Sequence, residues 1–471
     1  MKRVLFCLLL TVHSAVGLIF YEAANPPANT ETAPTGAYAN AGWQHQIVID
    51  RETGRNLFFG TIISPKHFVT ARHLGLGQAG TDARIFVTQP DYVTGTVEKT
   101  YTLRNAASPS AIQYFDLESM TTKNSDLYVY EIWETFPAFA EIFSGSDELG
   151  QEFVMTGFGD SRGTPVIVAG EGERGWNPNP LARLGRWGTN TVDGFAQTSA
   201  NPSQGLLIFC DFDAQGIGGS GNPFDPGDAD ATPHECQAAN KDSGGGWFIK
   251  DGGVWKLAGI NFSVDIYRIP DDDPPVNKRL AVYDGVGLYH SSSPDPIAPC
   301  SIINGCNFYR RSHTYATRVS EHIGAINTVI QPAKDSALLS GLERFEDWAE
   351  GYGLSAGVGP TDDDDSDGLT NLEEYLTESD PSDEKDGVFS FSVDLSTPGT
   401  HVMTLVESLD LAGRGITTEL EVSGDLDQWD PVTGTTEVSN EVDSLTGTRT
   451  RELSASFAGT GAVYYRLKVT L

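Results

Sequence analysis

Three short segments hold residues whose types could together carry out acyl transfer. The first, Gly60-Thr-Ile-Ile-Ser-Pro-Lys-His-Phe-Val-Thr-Ala-Arg-His-Leu74, turns at Ser-Pro and delivers His73 at the end of a second apolar run. The second places Asp126 directly before the apolar run Leu127-Tyr-Val-Tyr130. The third, Lys241-Asp-Ser-Gly-Gly-Gly-Trp247, sets Ser243 ahead of three glycines. A serine hydroxyl is a weak nucleophile until an imidazole takes its proton. The imidazole in turn needs a carboxylate to fix its tautomer and stabilise the imidazolium. Glycines after the serine let the backbone turn tightly, so that amide N–H groups can converge on an oxyanion. His45, His67, His234, His290, His313 and His322 have no such context and read as structural or surface residues.

A second constellation is built for a hard cation. Asp363-Asp-Asp-Ser-Asp-Gly-Leu-Thr-Asn-Leu-Glu-Glu374 fits D-x-D-x-D-G-x-x-N-x-x-E at every constrained position. Calcium takes six to eight oxygens. Asp363, Asp365 and Asp367, the backbone carbonyl of Leu369, Asn371 and Glu374 would supply them, with Gly368 at the sharp turn. The stretch resembles EF-hand, dockerin and thrombospondin type 3 calcium loops. A single loop of this kind reads as a structural clip holding one Ca2+.

The elements that must position these residues are mostly strands. From about residue 42 to 331, short apolar runs such as His45–Ile49, Leu57–Ile63 and Glu152–Thr156 alternate with Gly, Pro, Asn and Asp turns. That pattern predicts an antiparallel all-β architecture. Three polar stretches, 160–183, 211–233 and 265–311, read as insertions. Val319, Ile323, Ile326 and Ile330 fall on one face of a helix over 319–330, and 336–352 repeats helical spacing. Residues 361–386 hold twelve acids and one lysine. From Val388 onward the alternation is that of strands again, as in Thr418–Val422 and Tyr464–Val469. The expected organisation is a signal peptide over 1–17, a catalytic unit over 25–335, a helical segment with the acidic loop over 336–387, and a small β-sandwich over 388–471. By analogy with modules that end exported bacterial proteins, this last unit would attach to a surface or substrate.

Five segments in order resemble the chymotrypsin/trypsin family of serine peptidases. Thr70-Ala-Arg-His73 is similar to its Thr-Ala-Ala-His, and Ser125-Asp-Leu127 to its Asp-Ile-Ala-Leu. Asp242-Ser-Gly-Gly245 matches the centre of its Gly-Asp-Ser-Gly-Gly-Pro. Leu257-Ala-Gly-Ile-Asn261 is similar to the strand lining its substrate cleft, and Tyr315-Ala-Thr-Arg-Val319 to its closing element. The resemblance spans about residues 42–331. It implies two six-stranded antiparallel β-barrels followed by a helix. His73, Asp126 and Ser243 would form the triad in the cleft between them, and the backbone N–H groups of Lys241 and Ser243 the oxyanion hole. Gln237 aligns to the base of the primary specificity pocket. A neutral amide there leaves a buried Arg or Lys unpaired, so cleavage after basic residues is not expected.

The departures from that family carry expectations of their own. Lys241 replaces a glycine whose backbone conformation the oxyanion hole uses, so the competing reading is a peptidase-like binding protein with impaired catalysis. The chain has no Ile-Val-Gly-Gly start. Asp242, which receives a freed N-terminus in relatives, is therefore expected to find another partner in a protein active as made.

Met1-Lys-Arg3, an apolar run over 4–12 and the small residues Ser14-Ala-Val-Gly17 read as a secretory signal cleaved between 17 and 24, giving an extracellular or periplasmic protein. Setting Cys7 aside leaves Cys210, Cys236, Cys300 and Cys306. Sequence order favours Cys210–Cys236 and Cys300–Cys306 bridges, although four cysteines allow three pairings. With 64 acids against 31 bases, the net charge of −33 repels phosphate backbones and excludes nucleic acid as a partner. Protein or peptide substrates met by a monomer are the expectation.

Overall fold

The computed structural model of the chain describes residues 18–21, 30–51, 57–75, 85–89, 99–104, 114–121, 125–180, 185–197, 206–214, 231–268, 278–285, 288–290, 311–354, 357–383, 391–397, 400–443, 446–456 and 463–471. The expected signal peptide and Cys300 and Cys306 lie outside these residues. Strands dominate, and the all-β expectation holds.

Two large sheets frame the catalytic candidates. In spatial order the first runs Lys99–Tyr101, Ile85–Gln89, Gln46–Arg51, Leu57–Ile62, His67–Ala71, Leu127–Glu131, Tyr114–Asp116. Its pairings are antiparallel, with Ala71 opposite Leu127 at the end that carries His73 and Asp126. The sheet curls, bringing the chain just past Lys99–Tyr101 against the chain just past Leu127–Glu131. A bridge joins Leu103 to Ile132, and Trp133 N–H donates to the Thr102 carbonyl at 3.0 Å.

The second sheet runs Arg186–Thr191, Glu152–Gly157, Gly246–Asp251, Val254–Val264, Thr314–Arg318, Leu206–Cys210, Gly194–Gln197. The short strand Glu141–Ile142 pairs alongside Val254–Val264. The two end strands are consecutive in the chain, separated by Val192 and Asp193, so this sheet too is rolled. Seven and eight strands, without an uninterrupted ladder around either roll, replace the expected six-stranded barrels. The extra strands are short edge pieces.

Apolar packing explains why the rolls hold. One cluster joins Ile47, Ile62, Phe68, Val69, Leu127 and Val129 of the first sheet to Phe248, Leu257 and Ile260 of the second. The closing helix seals it. The chain enters through a 3-10 turn, Val319–His322, and continues as an α-helix over Ile323–Ser336, burying Ile326, Val329 and Ile330. A second cluster lies inside the second roll around Met155, Ile208 and Trp247, where Phe153 stacks on Trp247 at 4.0 Å.

Cys210 and Cys236 belong to that second cluster as free buried thiols, so the bridge favoured by sequence order is not formed. Burial raises both thiol pKa values, helped by Asp193 and Glu235 around Cys210 and by Glu235 beside Cys236. Both are kept protonated as small apolar residues.

The next helix is Gly341–Gly351, starting later than the spacing over 336–352 suggested. Ser340 and Glu343 form a capping box that fixes its first turn. Beyond the acidic loop, one sheet orders Phe391–Asp394, Thr400–Ser408, Thr448–Ser456 and Thr436–Asp443, and another Asp430–Pro431, Thr417–Ser423 and Tyr464–Thr470. Met403, Leu405 and Leu453 of one meet Leu420 and Tyr465 of the other. Among the described residues no helix is long and apolar enough to cross a membrane.

Candidate active site

His73 sits on the 3-10 turn Arg72–Leu74 that ends the strand His67–Ala71. That strand pairs with Leu127–Glu131, so Asp126 enters its own strand beside the turn, and Arg72 N–H donates to the Asp126 carbonyl at 2.8 Å. The Asp126 carboxylate holds His73 twice. Oδ1 accepts the His73 backbone N–H at 2.8 Å, and Oδ2 lies 2.6 Å from Nδ1. On the opposite edge of the ring, Nε2 lies 2.8 Å from the Ser243 Oγ. Phe262 meets the imidazole edge to face at 5.9 Å.

The loop presenting Ser243 is shaped by close approach. A Cβ on Gly244, where φ is +88°, would stand 2.0 Å from the Phe59 carbonyl oxygen. Thr70, three residues before His73, donates its hydroxyl to that same carbonyl at 2.8 Å. Glycine at 244 therefore lets the serine loop dock against the histidine-bearing sheet. The amides of Asp242, Gly244 and Gly245 donate to Ala239, Asn261 and Asp242 carbonyls. Among the described residues the Ser243 N–H donates to no protein acceptor, as an oxyanion donor requires.

Lys241 adopts φ +80°, the left-handed conformation its glycine counterpart supplies in the family it resembles. A non-glycine residue there costs about 1–2 kcal/mol. Its ammonium lies 4.7 Å from the centre of the Phe58 ring, a cation–π contact that helps hold the residue in place.

Asp242 is buried with both carboxylate oxygens turned inward, accepting from Gly159 N–H at 2.5 Å and Ala239 N–H at 2.6 Å. Burial pushes its pKa up to about 8, against the lowering effect of those amides. Leu18 is its neighbour. A Cβ built on Gly157 would meet the Asp242 Oδ1 at 2.3 Å and the Leu18 Cδ2 at 2.6 Å. Ile19 and Phe20 then pair antiparallel with Gln237 and Cys236. This start of the described chain, with no Ile-Val-Gly-Gly in it, nonetheless reaches the buried aspartate.

Beside Ser243 opens a cleft of about 320 Å³, lined by Ala238–Lys241, by Asn261–Val264 and by Arg279. Gln237 does not line it. Its Nε2 donates to the Leu280 carbonyl at 3.1 Å and its Oε1 accepts from the Ser312 hydroxyl. Arg279, missed by reading motifs, lies within the polar insertion 265–311, and no local pattern marks it.

The acidic loop brings Asp363, Asp365 and Asp367 together, with carboxylate oxygens within 4.8 Å of one another. Glu374 is fully buried with neither oxygen hydrogen-bonded, and Asp365 Oδ2 and Asn371 Oδ1 are likewise buried without partners. Burial, then Asp365, Asp367 and Asp363, push the Glu374 carboxyl up to about 7. Asn371 turns its Nδ2 to Asp364 at 2.8 Å, and Leu369 N–H donates to Asp367 Oδ1 at 2.7 Å. Gly368 takes φ +99° at the turn. Orphaned buried oxygens beside three carboxylates are the donor set a hard cation satisfies, so the residues fit calcium.

No protein-family model matches the chain, and no curated protein matches it either.

Proposed function

We propose that the chain is an exported serine endopeptidase of the chymotrypsin type, its two rolled sheets corresponding to the two barrels of that fold. One observation carries this reading: a single imidazole spans Asp126 at 2.6 Å and Ser243 at 2.8 Å. That is the geometry of nucleophile, base and orienting carboxylate.

In this reaction His73 Nε2 takes the Ser243 hydroxyl proton as Oγ attacks the substrate carbonyl. Asp126 keeps Nδ1 protonated and stabilises the imidazolium, and the N–H groups of Ser243 and Lys241 receive the oxyanion. His73 then gives its proton to the leaving amine, and water, activated by the same imidazole, releases the acyl group. The positive φ at Lys241 supports a working oxyanion hole over the impaired binding protein.

The N-terminal part of the reading is that the signal is removed after Gly17. The α-ammonium of Leu18 would then be the partner of the buried Asp242, beside which the Leu18 side chain already packs. Leu18 holds φ +58° in the uncut chain, and a chain terminus has no φ to strain. Calcium would be held by Asp363, Asp365, Asp367 and Glu374, neutralising the buried Glu374 carboxylate and the three aspartates around it and stiffening the segment before the C-terminal sheets.

A fluorophosphonate probe tests the peptidase reading. The expected result is one adduct on Ser243, lost in His73→Ala. A folded protein that forms no adduct rejects it.

A further inference from the structure

We infer that Arg279 makes this cleft select an acidic side chain, aspartate or glutamate, in the residue that precedes the scissile bond. The inference rests on the peptidase reading and adds its substrate class.

The first ground is the charge inside the cleft. The chain as a whole carries −33, yet among the described residues the cations Arg279 and Lys241 line the cleft beside Ser243 against one carboxylate, Asp242. That carboxylate is 1% exposed and both its oxygens are bound by backbone amides, so it offers nothing to a ligand. The Lys241 ammonium is committed to the face of Phe58. Arg279 is different. It is exposed, and among the described residues its guanidinium has no ion pair and no hydrogen bond. In a protein with twice as many acids as bases, an arginine in the cleft lining that meets no carboxylate among the described residues is suited to bind an anionic group.

The second ground is the rest of the lining. Ala238 and Ala239 leave the space beside the nucleophile open, while Ser263 and Val264 on the facing strand bring no charge. Gln237, the residue that alignment put at the base, is closed off by Leu280 and Ser312. Among the described residues of the lining, Arg279 is therefore the charge placed to meet an incoming side chain.

The chemistry follows. With a substrate carbonyl on Ser243, the side chain before the bond enters the space between the Ala238–Lys241 and Asn261–Val264 walls. A carboxylate there accepts two parallel N–H donors from the planar guanidinium. Lysine or arginine would face a like charge. An apolar side chain would strip water from the guanidinium and return no hydrogen bond.

The test is a set of matched fluorogenic peptides differing only in that residue: Glu, Asp, Gln, Phe and Lys. Wild-type protein should cleave the Glu or Asp peptide with a kcat/KM about tenfold or more above that for Gln, and further above Lys. Arg279→Gln should collapse the acid-to-amide ratio towards one, and Arg279→Glu should move the preference to Lys. Fluorophosphonate labelling of Ser243 in the same wild-type sample reads the nucleophile separately. Protein that labels but cleaves Gln or Phe as fast as Glu overturns the acidic specificity alone, as does an acid preference that survives in Arg279→Gln. Protein that neither labels nor cleaves overturns both the specificity and the peptidase reading.

Discussion

The Lys241 ammonium lies 4.7 Å from the centre of the Phe58 ring while its own backbone holds φ +80°, so one residue combines local strain with the contact that helps offset it. Phe58 belongs to the strand Leu57–Ile62 of the first sheet and Lys241 to the serine loop of the second, so the contact ties the serine loop to the first sheet. The side chain thus substitutes for the conformational freedom of glycine.

Lys241→Gly should accordingly keep kcat/KM within about threefold of wild type, because the gain in backbone freedom offsets the lost cation–π contact, each worth roughly 1 kcal/mol. Lys241→Val should lower kcat by about tenfold or more, since a β-branched residue resists positive φ and the oxyanion amide turns away. Steady-state kinetics on one peptide substrate decide it. Equal activity of the valine and glycine variants would show that the φ at this position is irrelevant to catalysis.

The pairing of Leu18 with Asp242 gives a prediction with a defined pH signature. With the N-terminus extended, Asp242 titrates near 8 in the folded chain, against its ordinary 3.8. The folded state then binds a proton that the unfolded state has released, so stability falls as pH rises between those values. A free Leu18 ammonium lowers the Asp242 pKa and flattens that slope. Mature protein should therefore begin at Leu18 by N-terminal sequencing. It should also lose less stability between pH 5 and 8 than protein carrying one extra residue before Leu18, measured by urea melts. Identical pH slopes for the two forms would reject the pairing.

How much of this was legible beforehand depended on how local each feature is. His73, Asp126 and Ser243 each sit in a short segment whose strand–turn wording is set by neighbours in sequence, and the structure brings all three together. Arg279 lines the cleft and Gln237 does not, because Arg279 comes from an insertion that no motif aligns. Order along the chain favours a Cys210–Cys236 bridge but carries no information on how two strands orient their thiols, and both cysteines are free. No sequence pattern marks Leu18 as a neighbour of Asp242, because the two lie more than two hundred residues apart. Strand counts failed at the edges, where two- and three-residue strands such as Glu141–Ile142 owe their existence to a neighbour rather than to their own pattern.

The calcium clip should report through stability rather than turnover. The helix Asn371–Thr377 that carries Glu374 also brings Tyr375 to Arg414, and Glu378 after it to Ser408 at 2.7 Å, so it fastens the loop to the C-terminal sheets. Asp410 of that region reaches Lys66, in the turn before His67–Ala71, and Thr135, past the end of Leu127–Glu131. Saturating Ca2+ at about a hundred times its Kd should add about 2.7 kcal/mol to the unfolding of this part. Calorimetry should resolve a transition raised by Ca2+, reversed by chelator and absent as a response in Asp365→Ala. Glu374→Gln should raise the calcium-free transition, because it removes a buried charge among three aspartates. Melting indifferent to both calcium and chelator in the wild type would remove the ion from the account.

Two histidines that play no part in the chemistry set the acid limit of the fold. Burial lowers the pKa of His45 to about 4, and burial together with Lys66 and Arg104 lowers that of His67 to about 4, from an ordinary 6.5. Between those values the unfolded chain takes up protons that the folded chain refuses, so stability falls as pH drops through 6.5 and levels off below about 4. Each histidine contributes at most about 1.4 kcal/mol per pH unit in that window. The carboxylates also titrate there, so the separable measurement is a difference. His67 accepts or donates at Ser64 Oγ, 2.8 Å away, and His67→Gln retains a polar group for that contact while removing the titration. The variant should lose less stability than wild type between pH 6.5 and 4.5, by close to one proton in urea-melt slope. Parallel pH curves for the two proteins would mean that His67 ionises freely in the folded state, and that its neighbours on the first sheet give way when it does.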